Sequence, residues 1–139
     1  MKNIRLLLDT CAAIWIANDQ PIAKDARDAV VGALEAEEPV FVSPITAWEI
    51  GILASRGRIS LRMSPEKWFE RLLDQPGVTL ADMSPRVLIA SSFLPGAHPK
   101  DPADRIIAAT AREYGFCVVT RDRRLLAYAQ SGYCRALNC

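Results

Sequence analysis

The chain has 139 residues, of which half are hydrophobic and 24% are charged. This length suits one compact domain, expected over residues 1–139, and the composition argues against intrinsic disorder. No apolar run reaches the length of a membrane span, and the first one, residues 4–8, is too short for the core of a signal peptide. We therefore expect a cytoplasmic protein that makes no membrane contact.

The cysteines and the histidine exclude several kinds of site. The four cysteines show no C-x-x-C spacing, which argues against a zinc knuckle and a thioredoxin-like redox pair, and we expect Cys11 and Cys117 to be small core residues. Because His98 is the only histidine, a zinc site built from imidazoles cannot form. The net charge of +1 gives no overall basic field, so any nucleic-acid contact would depend on local arginine clusters.

Short apolar runs alternate with helical patterns along the chain. Each run is followed by residues that favour the start of a helix, such as Ser43 with Pro44 and Ser84 with Pro85. Strands alternating with helices predict an α/β fold, a three-layer α/β/α sandwich with a central parallel sheet. The predicted strands are 4–8, 40–42, 78–80 and 116–119, and the clearest helical patterns are about 22–37, 65–73 and 102–114.

Four acidic residues are placed by this pattern near the ends of the strands. Asp9 closes the first strand, Asp122 follows the fourth, and Glu49 lies in the second turn of the helix after the second strand. Because parallel strands have their carboxyl ends at one edge of the sheet, these side chains are expected to meet there. Asp104 is less certain by topology, because it opens a helix that leads into a strand.

Each aspartate also has a simpler explanation as a helix cap. Asp9 or Thr10, Asp101 and Asp122 all precede helical patterns, and capping is common. Glu49 fits no such role, because it falls inside an apolar stripe that includes Trp48. A carboxylate there must bind a cation or pair with an arginine.

Convergence of four carboxylates would be unfavourable without a counter-ion. Repulsion would force some of them to take up protons, and a divalent cation removes the conflict. Oxygen ligands select Mg²⁺, with Mn²⁺ as the other choice, and such a metal can activate water without a histidine base. Four arginines beside these acids could hold substrate phosphates: Arg105, Arg121, Arg123 and Arg124.

The residues around these acids resemble the PIN-domain nucleases, and within them the VapC-type toxins. The matching blocks are residues 7–10, 43–50, 98–111 and 118–122, which read LLDT, SPITAWEI, HPKDPADRIIAATA and VVTRD. Four acids in the right order, in the D-P-x-D-R and T-R-D contexts, make a far more specific signal than one aspartate after a strand.

This resemblance implies a PIN-like fold, Mg²⁺- or Mn²⁺-dependent cleavage of RNA, a homodimer, and a cognate antitoxin that inhibits the toxin. It carries the family's acidic quartet onto Asp9, Glu49, Asp104 and Asp122 as catalytic and metal-binding residues. Thr120 is similar to the small hydroxyl residue that supports the quartet, and Thr10 is a second supporting residue. Asp101 either caps its helix and orients Arg105 or joins the outer shell of the metal.

Two other functions fit parts of the pattern. A phosphoaspartyl Mg²⁺-binding domain also places aspartates at strand ends. A dehalogenase-like domain, however, needs Asp-x-Asp where this chain has Asp9-Thr10-Cys11. A receiver-like domain needs a lysine after a late strand, and none of the four lysines follows a predicted strand. A non-catalytic RNA-binding module would be favoured by the loss of an acid, and none is lost. The antitoxin or a second copy could bind the helix at 45–54 and the arginine-rich segment 56–62.

Overall fold

The computed structural model describes residues 4–139, which form one five-stranded, all-parallel sheet in the order β3-β2-β1-β4-β5. None of the helices in this range is both long and apolar enough to cross a lipid bilayer. The elements in chain order are β1 Leu6–Leu8, α1 Thr10–Ala17, α2 Lys24–Glu35, β2 Val40–Val42, α3 Ile45–Ser55, α4 Pro65–Asp74, β3 Val78–Leu80, α5 Pro85–Ala90, α6 Pro102–Tyr114, β4 Cys117–Thr120, α7 Arg123–Gln130 and β5 Arg135–Asn138.

The two faces of the sheet carry two separate hydrophobic clusters. Side chains alternate between the faces of a strand, so Leu6 and Leu8 join one cluster while Leu7 joins the other. Helices α1, α2 and α4 supply apolar side chains to the first cluster, and α5, α6 and α7 to the second. Since both faces are covered, β1 is buried at all three positions, and the predicted three-layer α/β/α fold is confirmed.

The element boundaries differ from the sequence prediction at a few places. β2 and β3 match the predicted strands, whereas β1 begins two residues later than predicted and β4 is displaced by one residue towards the C-terminus. Helix α3 begins at Ile45, so Pro44 precedes the helix instead of occupying its first position, although the Ser43 hydroxyl accepts a hydrogen bond from the Ile45 N–H. The fifth strand was not predicted, because Arg135–Asn138 is a short, partly exposed edge strand without an apolar run.

Helix α6 brings Asp104 to the same edge of the sheet as the other acids. The helix begins at Pro102 and ends at Tyr114, and the left-handed conformation of the next residue, Gly115 (φ 70°), turns the chain towards β4. A helix that precedes a parallel strand runs back across the sheet, so its first turn lies at the carboxyl edge. Topology therefore places Asp104 at that edge, which the sequence pattern alone left open.

Candidate active site

A cavity of about 260 Å³ opens at the carboxyl edge of the sheet, beside the ends of β1 and β4. The strand order reverses at this pair of strands, since β1 lies between β2 and β4, and such switch points are the usual ligand sites of open α/β sheets. We call this cavity the acidic pocket. It is lined by Asp9, Thr10, Cys11, Glu49, Asp101, Asp104, Asp122 and Arg124.

Asp9 is the most buried of these acids, with 6% of its surface exposed. One of its carboxylate oxygens accepts a hydrogen bond from the Ala12 N–H (2.8 Å) and caps α1. The other accepts from the Thr120 hydroxyl (2.5 Å), and the Thr120 oxygen in turn accepts from the Asp122 N–H (2.9 Å). Burial raises the pKa of Asp9 above its ordinary value, although the hydrogen bonds from Thr120 and Ala12 oppose that rise.

Three helices begin at the acidic pocket, each capped by one of its aspartates. Asp9 caps α1, Asp101 caps α6 and Asp122 caps α7. The capping explanation is therefore confirmed for all three, and it does not compete with a place in the pocket. One carboxylate oxygen of Asp122 accepts both cap hydrogen bonds, from the N–H groups of Arg124 and Leu125. The positive ends of three helix dipoles face the pocket and favour negative charge there.

Asp104 shows the combined effect of burial and of the neighbouring carboxylates on a pKa. It lies half-buried in the first turn of α6, where its N–H donates to the Asp101 carboxylate (3.1 Å). Burial raises the pKa of Asp104 to about 7, and the charges of Asp122, Asp101, Glu49 and Asp9 add to that effect. Near neutral pH, this carboxyl group therefore carries a proton for much of the time.

Glu49 is held by a hydroxyl and not by an arginine. Its carboxylate accepts a hydrogen bond from Thr10, and burial raises its pKa although this bond opposes the rise. Within residues 4–139 the ion pairs are Lys24 with Asp28 and Arg86 with Glu113, so no arginine is paired with Glu49. The predicted apolar stripe was wrong at Trp48, which is 53% exposed. The buried face of α3 consists of Ile45, Thr46 and Ile50.

In the described part of the chain, Arg124 is the one arginine that lines the acidic pocket. The three other arginines predicted to hold phosphate are not among its lining residues. Arg121 lies over the ring of Trp15 (3.6 Å to the centroid), and Arg105 donates to the Pro99 carbonyl (3.1 Å). Arg123 is exposed at the start of α7.

Two residues at or near this site, Cys11 and Thr46, were not predicted from the sequence to belong to it. Cys11 lines the pocket and is exposed, so its predicted place in the core was wrong, whereas Cys117 is buried as expected. Thr46 is fully buried and contacts Thr10 behind the pocket. A polar residue one turn before Glu49, on the buried face of its helix, was the signal that could have identified it.

The chemistry of the pocket suits a hard divalent cation. Within residues 4–139, the charged groups that line it are five carboxylates and one arginine. A cation would offset the negative charge that, together with burial, raises the pKa of Asp104. Among residues 4–139, however, no three acidic, histidine or cysteine side chains stand in a geometry that would hold a metal ion. The ligand types fit a hard cation, and the carboxylates would have to rearrange to bind one.

An acidic pocket at the switch point of a parallel sheet defines this chain as a PIN-like α/β/α domain, and the comparisons agree. The PIN domain family model matches residues 6–130. Ribonuclease VapC22 from Mycobacterium tuberculosis is 35% identical over 124 residues, which cover 88% of this chain and 91% of that protein. The chain therefore belongs to the PIN-domain family, and the predicted resemblance to VapC-type proteins is confirmed.

Solved structures share the same fold. DNA-bound VapBC from Salmonella typhimurium superposes with a TM-score of 0.67 at 20% identity, and the match covers 97% of this chain and 98% of that chain. VapBC2 from Rickettsia felis bound to a DNA fragment from their promoter gives a TM-score of 0.66 at 15% identity, with the same coverage. At these identities the likeness supports the fold alone.

Burial and repulsion of Asp104 in the acidic pocket predict a pH-dependent effect of Asp104→Asn on stability. The raised pKa means that the folded protein holds a proton on Asp104 that the unfolded chain releases above its ordinary pKa of 3.8. This group therefore destabilises the fold increasingly as the pH rises from about 4 to about 7. Without divalent ions, Asp104→Asn should raise the melting temperature at pH 8 and have a much smaller effect at pH 5.

The measurement is thermal unfolding followed by circular dichroism in EDTA. Glu70→Gln, on an exposed position of α4, controls for the change in net charge. An Asp104→Asn protein that is less stable than the wild type at pH 8 would contradict the repulsion described for the pocket.

Proposed function

We propose that this chain is a metal-dependent endoribonuclease and the toxin of a toxin–antitoxin pair. The supporting observation is the gathering of Asp9, Glu49, Asp104 and Asp122 in one pocket, in a chain related to a VapC ribonuclease. A nuclease needs a charged centre that accepts a phosphodiester and a water molecule together. With a bound cation, the acidic pocket at the edge of the sheet would supply such a centre.

Asp9, Asp104, Asp122 and Glu49 would hold Mg²⁺, or Mn²⁺ in its place. The ion would lower the pKa of a bound water and neutralise charge that develops on the phosphate. The protein's own contribution is to fix the ligands: Thr120 orients Asp9, Thr10 orients Glu49, and the Asp122 cap fixes the start of α7. Asp101, which caps α6 and lines the pocket, would support Asp104 by accepting a hydrogen bond from its N–H.

The RNA would reach the pocket past Arg124. Among residues 4–139, this side chain is the one cationic group that lines the pocket, and a guanidinium binds a phosphate through two parallel hydrogen bonds. Arg123 is exposed next to it and could attract RNA without contacting the reacting phosphate. Arg105 and Arg121 already have other partners, which leaves them less suited to the phosphate-binding role predicted from the sequence.

A cognate antitoxin and a second copy of the chain are the proposed protein partners. The similar Salmonella and Rickettsia structures are named as VapBC complexes, which supports an antitoxin for this chain. Helix α3 carries Trp48 with 53% of its surface exposed, and the following residues 56–58 are exposed as well. Such exposed apolar surface is typical of a protein contact, so α3 remains the proposed binding segment.

Cleavage of RNA should require both the metal and the acidic pocket. Purified chain, freed of antitoxin, should cut total cellular RNA at discrete positions in Mg²⁺ or Mn²⁺, and EDTA should abolish the cuts. Asp104→Asn should lower the rate by about 10² or more, because the amide keeps the size of the side chain and loses its charge.

Asp74→Asn, at the exposed end of α4, is the matched control and should cut like the wild type. Full activity of a folded Asp104→Asn protein would remove Asp104 from the metal site. Intact RNA in the presence of bound metal would favour a phosphoaspartyl or a non-catalytic RNA-binding role.

Two neighbouring arginines allow a direct test of the RNA path. In the Asp104→Asn background, which prevents cleavage, Arg124→Ala should weaken RNA binding and reduce the salt dependence of binding by about 0.7 in slope, the value of one phosphate contact on a single strand. Arg123→Ala removes the same charge outside the pocket and should change binding less. Fluorescence anisotropy at several salt concentrations measures RNA binding by both variants. An equal loss of RNA affinity in the two variants would argue against a phosphate contact specific to Arg124.

A further inference from the structure

Thr46 places a hydroxyl group in the interior directly behind the acidic pocket. The residue lies in the first turn of α3, one turn before Glu49, and none of its surface is exposed. It does not line the pocket. Its side-chain oxygen is 3.2 Å from the hydroxyl oxygen of Thr10, whose hydroxyl is hydrogen-bonded to the Glu49 carboxylate.

The direction of these two hydrogen bonds follows from counting protons. A threonine hydroxyl has one proton to donate, and the Thr10 hydroxyl donates it to Glu49. In the contact between the two threonines, Thr10 can therefore only accept, so Thr46 is the donor. The result is a directed chain from Thr46 to Thr10 to Glu49, in which each bond polarises the next.

We propose that Thr46 is a positioning residue for Glu49 and acts through Thr10. By donating to the Thr10 oxygen, Thr46 fixes the rotation of that hydroxyl so that its proton points at the carboxylate. The Glu49 side chain is then held in one orientation towards the pocket. The link to RNA cleavage rests on the proposed function, whereas the link to Glu49 orientation does not.

The other side of the pocket uses the same arrangement with a different donor. There the Asp122 N–H donates to the Thr120 hydroxyl, and that hydroxyl donates to Asp9. A backbone donor is fixed by the turn after β4. For Thr10, the equivalent hydrogen bond comes from the Thr46 hydroxyl on α3.

Packing alone does not account for a threonine at this position. Valine has almost the same shape and would fill the same space without burying a polar group, which is costly unless it is hydrogen-bonded. Threonine is also a poorer helix former than many residues, so local propensity does not favour it. The buried Thr46 hydroxyl is hydrogen-bonded to Thr10, and Thr10 in turn donates a hydrogen bond to Glu49.

The first experiment measures Glu49 directly in the metal-free protein. NMR scalar couplings of the labelled Glu49 side chain report whether it occupies one rotamer or several. The wild type and Thr46→Ser, which keeps the hydroxyl, should show one predominant rotamer. Thr46→Val and Thr46→Ala, which remove it, should both show averaging.

Thr110→Val is the matched control. Thr110 is also a buried helical threonine, with 1% of its surface exposed, but its hydroxyl donates to the Ile106 carbonyl within α6 and does not reach the pocket. This variant should leave Glu49 in its wild-type rotamer. One predominant rotamer in folded Thr46→Val or Thr46→Ala, as in the wild type, would overturn the proposal.

The second experiment asks whether the orientation matters for the reaction. Titration with Mn²⁺ alone should show about tenfold weaker binding to Thr46→Val, and cleavage should show a lower kcat with little change in KM, because the RNA contacts are untouched. Thr46→Ser should restore both values. If the wild type itself binds no Mn²⁺ and cuts no RNA, the proposed function fails, and the NMR result alone still decides whether Thr46 positions Glu49.

Discussion

Mutual repulsion among carboxylates at one edge of the sheet is the constraint on which the rest of this site depends. Asp9, Glu49, Asp101, Asp104 and Asp122 line one small cavity, and the pKa of Asp104 is raised to about 7 by burial and by its neighbours. Repulsion within such a cluster works against the stability of the fold, and carboxyl groups with perturbed pKa values in a cavity are typical of functional sites. In the proposed function, a divalent cation bound by oxygen ligands would offset part of this negative charge.

The fold tolerates the cluster because its local structure offsets part of the repulsion. Three helices begin at the pocket, and each directs its positive end and its free N–H groups towards an aspartate cap. Threonine hydroxyls hold Asp9 and Glu49 in place from opposite sides. The same contacts therefore stabilise the helix ends and orient the carboxylates, which explains how an aspartate can be both a structural cap and a part of the site.

Much of this arrangement could be predicted from the sequence, because it depends on local rules. Apolar runs located four of the five strands, and strand ends located Asp9 and Asp122. What failed depended on tertiary contacts. Strand β5 lacks an apolar run because it lies at the sheet edge. Trp48 is exposed because α3 buries another face. Arg121 makes a cation–π contact because Trp15 lies opposite it. None of these neighbours is visible in the local pattern.

The most direct test of the account is the number of protons released when Mn²⁺ binds to the purified chain. Calorimetric titrations in buffers of different ionisation enthalpy measure this number at each pH. Because a metal needs deprotonated ligands and the pKa of Asp104 is about 7, we expect release of roughly half a proton or more at pH 7, declining as the pH approaches 9. A binding heat that does not depend on the buffer at pH 7, or the absence of binding, would contradict a metal centre built on these carboxylates.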